Sequence, residues 1–116
     1  MASSGTMQDR IRKRALSLPE TDEASPFGDP WFRVLGKMFC CLSTHATDNV
    51  VAVKIGKENL DLFLRDERFF QAPYIGRHGW VCLRLNSKTP WPEVESLIVS
   101  SYNLIAPRRL RILSEE

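Results

Sequence analysis

The chain is poor in the features that announce chemistry. It carries three cysteines and two histidines with no recurring spacing between them, whereas a zinc-type site needs several thiolates or imidazoles converging on one point. There is no Walker loop and no dinucleotide fingerprint, and no serine or cysteine sits in a local motif that supplies a base and an orienting group. A non-enzymatic protein with no metal and no cofactor is therefore expected. No apolar run approaches the roughly 20 residues of a membrane span, and the amino terminus lacks a charged-then-apolar leader. No membrane partner is expected, and a cytoplasmic location is. Charge of one sign is lacking too: 16 Lys and Arg face 14 Asp and Glu, for a net charge of +2. That is too little to imply a polyanionic partner by itself, so the distribution of charge has to carry any such argument. Cys40 and Cys41 are adjacent and would point to opposite faces of a strand, so these thiols and Cys82 are expected to be reduced and structural.

What is present is an ordinary globular composition. The 116 residues are 43% hydrophobic and 26% charged, enough for one domain with one core. Residues 1–6, small and polar before Met7, resemble a tag remnant and are set outside the fold, leaving 7–116 as the domain. Met7, Ile11, Ala15 and Leu18 follow helical spacing up to Pro19. Residues 20–30 mix acids, proline and glycine as a connection does. Residues 31–35 read as a strand, Gly36-Lys37 as a reversal, 38–43 as its hairpin partner, 44–49 as a turn and 50–55 as a third strand. A helix is predicted over 57–68, anchored by Phe69-Phe70, and a fourth strand over 80–85. A last helix starts around Pro92 and Glu93, which suit a first turn and the helix dipole. It buries Val94, Leu97, Ile98, Ser101 and Ile105 and stops at Pro107. The order predicts an α+β domain: an antiparallel sheet with helices on one face and the other face partly open.

Residues 72–80, Ala-Pro-Tyr-Ile-Gly-Arg-His-Gly-Trp, are the most informative segment. Pro73 restricts its own backbone and that of Ala72, while Gly76 and Gly79 bracket Arg77-His78 with residues that tolerate positive φ. This shaped loop should bring Tyr74, Arg77 and His78 to a sheet margin, where a guanidinium can fork two phosphate oxygens. The plainer reading has Arg77 paired with a carboxylate and His78 bonded to a carbonyl. Arg33 and Lys37 flank the predicted hairpin tip and Lys54 lies on the third strand, as a wing probing nucleic acid requires; ordinary solvated strand edges look the same. Arg108 and Arg109, with Arg111, form a basic exit from the last helix. Most aromatics fall on buried periodicities, but Tyr74 and Trp80 border the loop and could stack on a base or brace the loop.

Several separated segments carry a resemblance. These are Ala15-Leu16-Ser17-Leu18-Pro19, the hairpin Phe32 to Phe39, the loop Ala72 to Trp80, and Ser101 to Leu110. With them the chain resembles the MmcQ/YjbR family, small bacterial proteins commonly described as DNA-binding, over nearly all of residues 10–112. The resemblance implies a frataxin (CyaY)-like two-layer sandwich and a double-wing mode of DNA binding. It does not imply frataxin's iron chemistry, which needs a dense acidic face; here acids and bases interleave. The expected partner is thus DNA, held at its phosphates by Arg33, Lys37, Lys54, Arg77 and Arg108-Arg109, with Tyr74 and His78 beside them. Two other readings remain open: a small anionic ligand, if Tyr74, Arg77, His78 and Trp80 line a concavity, and a protein-interaction adaptor using an apolar open sheet face.

Overall fold

Thr6 opens the fold as the N-cap of the first helix. In the computed structural model, which describes residues 6–45 and 47–112, its hydroxyl accepts the Asp9 N–H at 3.1 Å and the Asp9 carboxylate accepts the Thr6 N–H at 3.2 Å. This reciprocal capping box satisfies two of the donors that a helix start leaves unpaired. Thr6, set outside the fold by the sequence reading, thus takes part in it as a cap, while residues 1–5 lie outside the described residues. Helix α1 (Met7–Ser17) buries Ile11 and Ala15. Beyond it comes an element not foreseen: the acidic connection contains strand β1 (Thr21–Ala24). β2 (Trp31–Val34) and β3 (Lys37–His45) follow, joined at Leu35-Gly36 rather than Gly36-Lys37. Val34 and Lys37 are register partners, and the two residues between them have φ of 49° and 83°. A two-residue hairpin turn with both φ positive matches the strand twist, and Gly36 meets that requirement without strain.

β4 (Asp48–Lys54) is longer than predicted, and the turn before it correspondingly shorter. The predicted helix over 57–68 is a 3-10 turn at Lys57–Asn59 running into a short α2 (Leu60–Leu64). It ends early because the Asp66 carboxylate accepts the Arg68 N–H at 3.0 Å, a local turn that competes with further helix. Phe69 and Phe70, taken as a helix anchor, belong to strand β5 (Phe69–Gln71). β6 (Trp80–Leu85) and α3 (Trp91–Ile105), with its proline in the first turn, match the expectation.

The strands form one antiparallel six-stranded sheet in the order β1-β2-β3-β4-β6-β5. Phe32, Val34, Cys40, Leu42, Val51, Val53, Val81 and Leu83 bury one face against α1 and α3, which supply Ile11, Ala15, Val94, Ile98 and Tyr102. The fold is α+β with its helices on one face of the sheet. No helix among the described residues is long and apolar enough to cross a membrane. The second face is less open than predicted. Trp31, Cys41, Ala52, Cys82 and Phe70 are aligned across five strands by the register. Trp31 meets Trp80 edge-on, with ring centroids 5.7 Å apart, and Ile75 of the 72–79 loop packs on the same cluster. Small side chains in the middle of that face are therefore covered by large ones from its margins.

Ser101 fastens the two layers. Register pairing of β3 with β4 runs from His45↔Asp48 to Cys40↔Val53. One step beyond it the fully buried Ser101 hydroxyl donates to the Phe39 carbonyl at 2.6 Å and accepts the Lys54 N–H at 2.9 Å. Ser101→Ala leaves both backbone groups without their partner in a dry site. It should lower unfolding stability by ~2–3 kcal/mol, read from the denaturant midpoint at unchanged slope.

The thiols alternate as a strand requires, with Cys40 in the helix-side core and Cys41 and Cys82 on the second face. All three are free and buried. Cys41 and Cys82 flank Ala52, so their α-carbons are two strand spacings apart, about 10 Å, beyond the ~7 Å that a disulfide can bridge. Burial pushes the Cys41 thiol up to about 12 and Cys82 up to about 11, from an ordinary 9.0; it raises Cys40 as well. A thiol that is harder to ionise in the folded chain stabilises it fully below the unfolded value. That stabilisation is lost as pH rises from 9.0 through about 11 and 12. Alkylation at about pH 8 should therefore label none of the cysteines in the folded protein and all three after denaturation without reductant, by mass.

Candidate nucleic-acid interface

The candidate residues are best located by the end of the sheet to which each strand brings them. β2 ends and β3 begins at the Leu35-Gly36 turn, β4 ends at Lys54, and β6 begins at Trp80 after the loop. All of these lie at one end, because Val34 pairs with Lys37 and Lys54 pairs with Trp80. The carboxyl end of α3 is there too, held by Ser101 at Phe39 and Lys54. It is followed by a 3-10 turn at Arg108–Leu110.

The 72–79 loop is stiff at its base and bare at its tip. The Gly76 N–H donates to the Ala72 carbonyl at 2.8 Å, His78 N–H to Ile75 at 2.9 Å, and Gly79 N–H to Gly76 at 2.9 Å. Gly79, at φ 92°, lies against the end of β4: its carbonyl accepts the Ile55 N–H at 2.7 Å and the Gly56 N–H at 3.2 Å. A β-carbon on Gly79 would come within 2.7 Å of the Gly56 carbonyl carbon and the Lys57 nitrogen, so only glycine allows this crossing. At the tip the Ile75 N–H reaches the Pro73 carbonyl at 2.6 Å. That three-residue turn holds Tyr74 at φ 66° with 96% of its surface exposed. A bulky residue in the left-handed region is a true outlier, costing ~1–3 kcal/mol.

Among the described residues some cations are ion-paired and others, Arg10, Lys13, Arg65, Lys88 and Arg111 included, are not. Arg12, Arg14, Arg33, Arg68 and Arg84 are all ion-paired, with Glu23, Glu95, Asp22, Asp66 together with Glu93, and Asp48 respectively. The Arg33–Asp22 pair is bidentate, at 2.9 and 2.8 Å across β1 and β2; it holds the Asp22 carboxyl below its ordinary value and Arg33 above. Lys37, Lys54, Lys57, Arg77, Arg108 and Arg109, by contrast, have no carboxylate within ion-pair distance among the described residues. Arg77 instead donates from Nε to His78 Nε2 at 3.4 Å, and both side chains are exposed. Two acids, Glu20 and Glu58, also lie at this end, beside Leu35 and Gly56.

The sequence-predicted residues therefore divide. Lys37, Lys54, Tyr74, Arg77, His78, Arg108 and Arg109 come to one end of the domain. Arg33 is near them but is spoken for by Asp22. Nor do Arg33 and Lys37 form one wing surface, since they sit in adjacent register pairs and point to opposite faces of the sheet. Trp80 is only 7% exposed and braces the second face instead of presenting a ring. Glu93 does more than complement a helix dipole: with Asp66 it clamps Arg68, at 2.7 Å to each carboxylate. Lys57 went unnoticed because it reads as the first residue of an amphipathic helix, and only the Gly56–Gly79 crossing shows that it borders the loop. Leu35, half exposed at the hairpin tip, was likewise passed over.

Concavities lie elsewhere. A groove of about 510 Å³ between α1 and α3 is lined by Arg14, Glu95, Ser96, Ser100 and Asn103, and one of about 440 Å³ by Arg10, Lys13, Arg14, Ser17 and Trp91. Tyr74, Arg77, His78 and Trp80 line neither. No three His, Cys, Asp or Glu side chains among the described residues gather as a metal site would require.

Two solved structures share the fold. A Deinococcus radiodurans protein, DR2400, described as having a DUF419 domain, superposes with a TM-score of 0.73 at 20% identity, covering 90% of this chain and 84% of its own. A Pseudomonas syringae protein gives 0.71 at 18% identity, covering 88% of this chain and all of its own. No curated protein matches the chain. The YjbR family model matches residues 16–104, and the chain belongs to that family.

Proposed function

We propose that this protein is a small, non-enzymatic, cytoplasmic DNA-binding module that holds phosphates at the end of its sheet through Arg77, Lys54, Lys57, Lys37 and Arg108-Arg109. The observation that carries the reading is the gathering of unpaired cations at this end. Lys37, Lys57, Arg77, Arg108 and Arg109 are exposed and without an ion-pair partner among the described residues around a rigid loop, with the half-buried Lys54 beside them, whereas Arg33 and Arg84 on the sheet are held by carboxylates. Exposed cations contribute to phosphate affinity by releasing condensed counterions, which an already paired guanidinium does not do. The family resemblance implies the same partner. The alternative of a small anionic ligand loses support because the loop is a convex ridge and Trp80 is buried. The adaptor reading loses it because the middle of the second sheet face is covered. The non-enzymatic reading draws on the three thiols, which are buried and harder to ionise, and on the buried Ser101, which is committed to backbone groups.

A titration with single- and double-stranded DNA at several salt concentrations tests this. Association should weaken steeply with salt, and Arg77→Ala should lower affinity and flatten the slope of log K against log salt by about 1. Lys13→Ala, in the groove on the helix side, should leave both unchanged. Absence of salt-sensitive association with either form of DNA at low ionic strength would overturn the proposal.

A further inference from the structure

Tyr74 is where the loop departs from what electrostatics alone would require. A phosphate-gripping ridge needs cations and backbone amides, yet this one carries an aromatic ring at its apex. The ring is 96% exposed, on a backbone held at φ 66°. The residues on both sides are anchored: Ile75 packs on the second-face cluster and Ala72 is buried there, while Pro73 stiffens the approach. The strain is therefore not used to bury the side chain. It projects the ring away from the protein, three residues from the unpaired Arg77. Strained residues of this kind cluster at ligand clamps. Leu35, at the hairpin tip of the same sheet end, repeats the pattern, with φ 49° and half its surface exposed.

Building on the DNA reading, we infer that the strand form recognised by this loop is single-stranded DNA, with Tyr74 as the platform on which an unpaired base stacks and Arg77 on the adjoining phosphate. The geometry discriminates between strand forms. In a duplex, the faces of all bases but the terminal ones are covered by their neighbours, so a flat ring on a convex ridge finds no partner there without unstacking a step. An unpaired base offers its whole face, and every base has one, so such stacking tolerates any sequence. The phenol hydroxyl has no necessary part in stacking, whereas the ring does.

The test is a binding titration of the full chain with a labelled single strand of roughly 10 nucleotides, the matching duplex, and the same strand carrying abasic positions. Tyr74→Ala should weaken single-strand binding roughly 5- to 100-fold, Tyr74→Phe should retain it, and neither should change binding to the duplex. The abasic strand should bind the native protein as weakly as the intact strand binds Tyr74→Ala. Tyr74→Gly separates function from folding: it should lose single-strand affinity like the alanine variant while melting at a higher temperature, because glycine relieves the left-handed strain. An equal loss on duplex and single strand, or full single-strand affinity in Tyr74→Ala, would overturn the inference. If Arg77→Ala still weakens binding in that case, the DNA-binding reading stands without it. If the native protein binds neither form, both fall.

Discussion

The Ser101 hydroxyl, set between the Phe39 carbonyl and the Lys54 N–H, is the contact on which the working end of the molecule depends. It satisfies two backbone groups just where the β3–β4 ladder stops, and in doing so fixes the height of α3 over the sheet. The next two residues of the chain, Ile55 and Gly56, give their N–H groups to Gly79 on the neighbouring loop. The end of β4 is thus held from the helix layer by a side chain and from the adjacent strand by a carbonyl. Buried backbone groups demand partners, and meeting that demand here places Lys54, Lys57 and the 72–79 loop in one rigid frame. Tyr102 extends the frame, with its hydroxyl donating to the Pro19 carbonyl at 2.8 Å and Phe39 edge-on to its ring.

Around this frame the charges have different fates. Along β1 and β2, Asp22 answers Arg33 across the strands; on the second face Arg84 lies 4.5 Å from the centre of the Phe70 ring and pairs with Asp48. Such exposed pairs add little stability, ~0–1 kcal/mol each, but they cancel the local field. Acids on β1 also blunt an edge strand that could otherwise pair with another chain. The cations at the sheet end have no such partners. An overall charge of +2 does not reveal this local gathering of cations, which is why composition alone is silent about a polyanion.

The sequence was legible where a periodic pattern ran long enough to exceed local ambiguity. α1, α3 and β2 carry a recognisable repeat of buried positions, β3 and β6 carry runs of apolar residues buried on both faces, and the loop between Ala72 and Trp80 was marked by its proline and glycines. β1 was not legible because its Thr, Asp, Glu and Ala present no apolar alternation; an edge strand half in solvent does not need one. β5 is three residues long, too short for any period. The site divided on similar lines. That Arg77 and His78 stand on a shaped loop could be read locally. That Arg33 is neutralised by a carboxylate 11 residues earlier, that Trp80 turns inward against Trp31, and that Lys57 adjoins the loop through a glycine crossing are tertiary facts. The left-handed backbone of Tyr74 had no local cue, since a residue of this shape is seldom found there.

If the proposed function holds, the sheet end, and not the groove between α1 and α3, meets DNA. Amide chemical-shift mapping of the isotopically labelled protein during a DNA titration addresses it most directly. The largest changes should fall on Ile75 to Gly79, Lys54 to Lys57, Lys37 and Arg108-Arg109, with Arg10 to Ser17 and Ser96 to Asn103 undisturbed. Changes concentrated along α1 and α3, with the 72–79 loop silent, would contradict it.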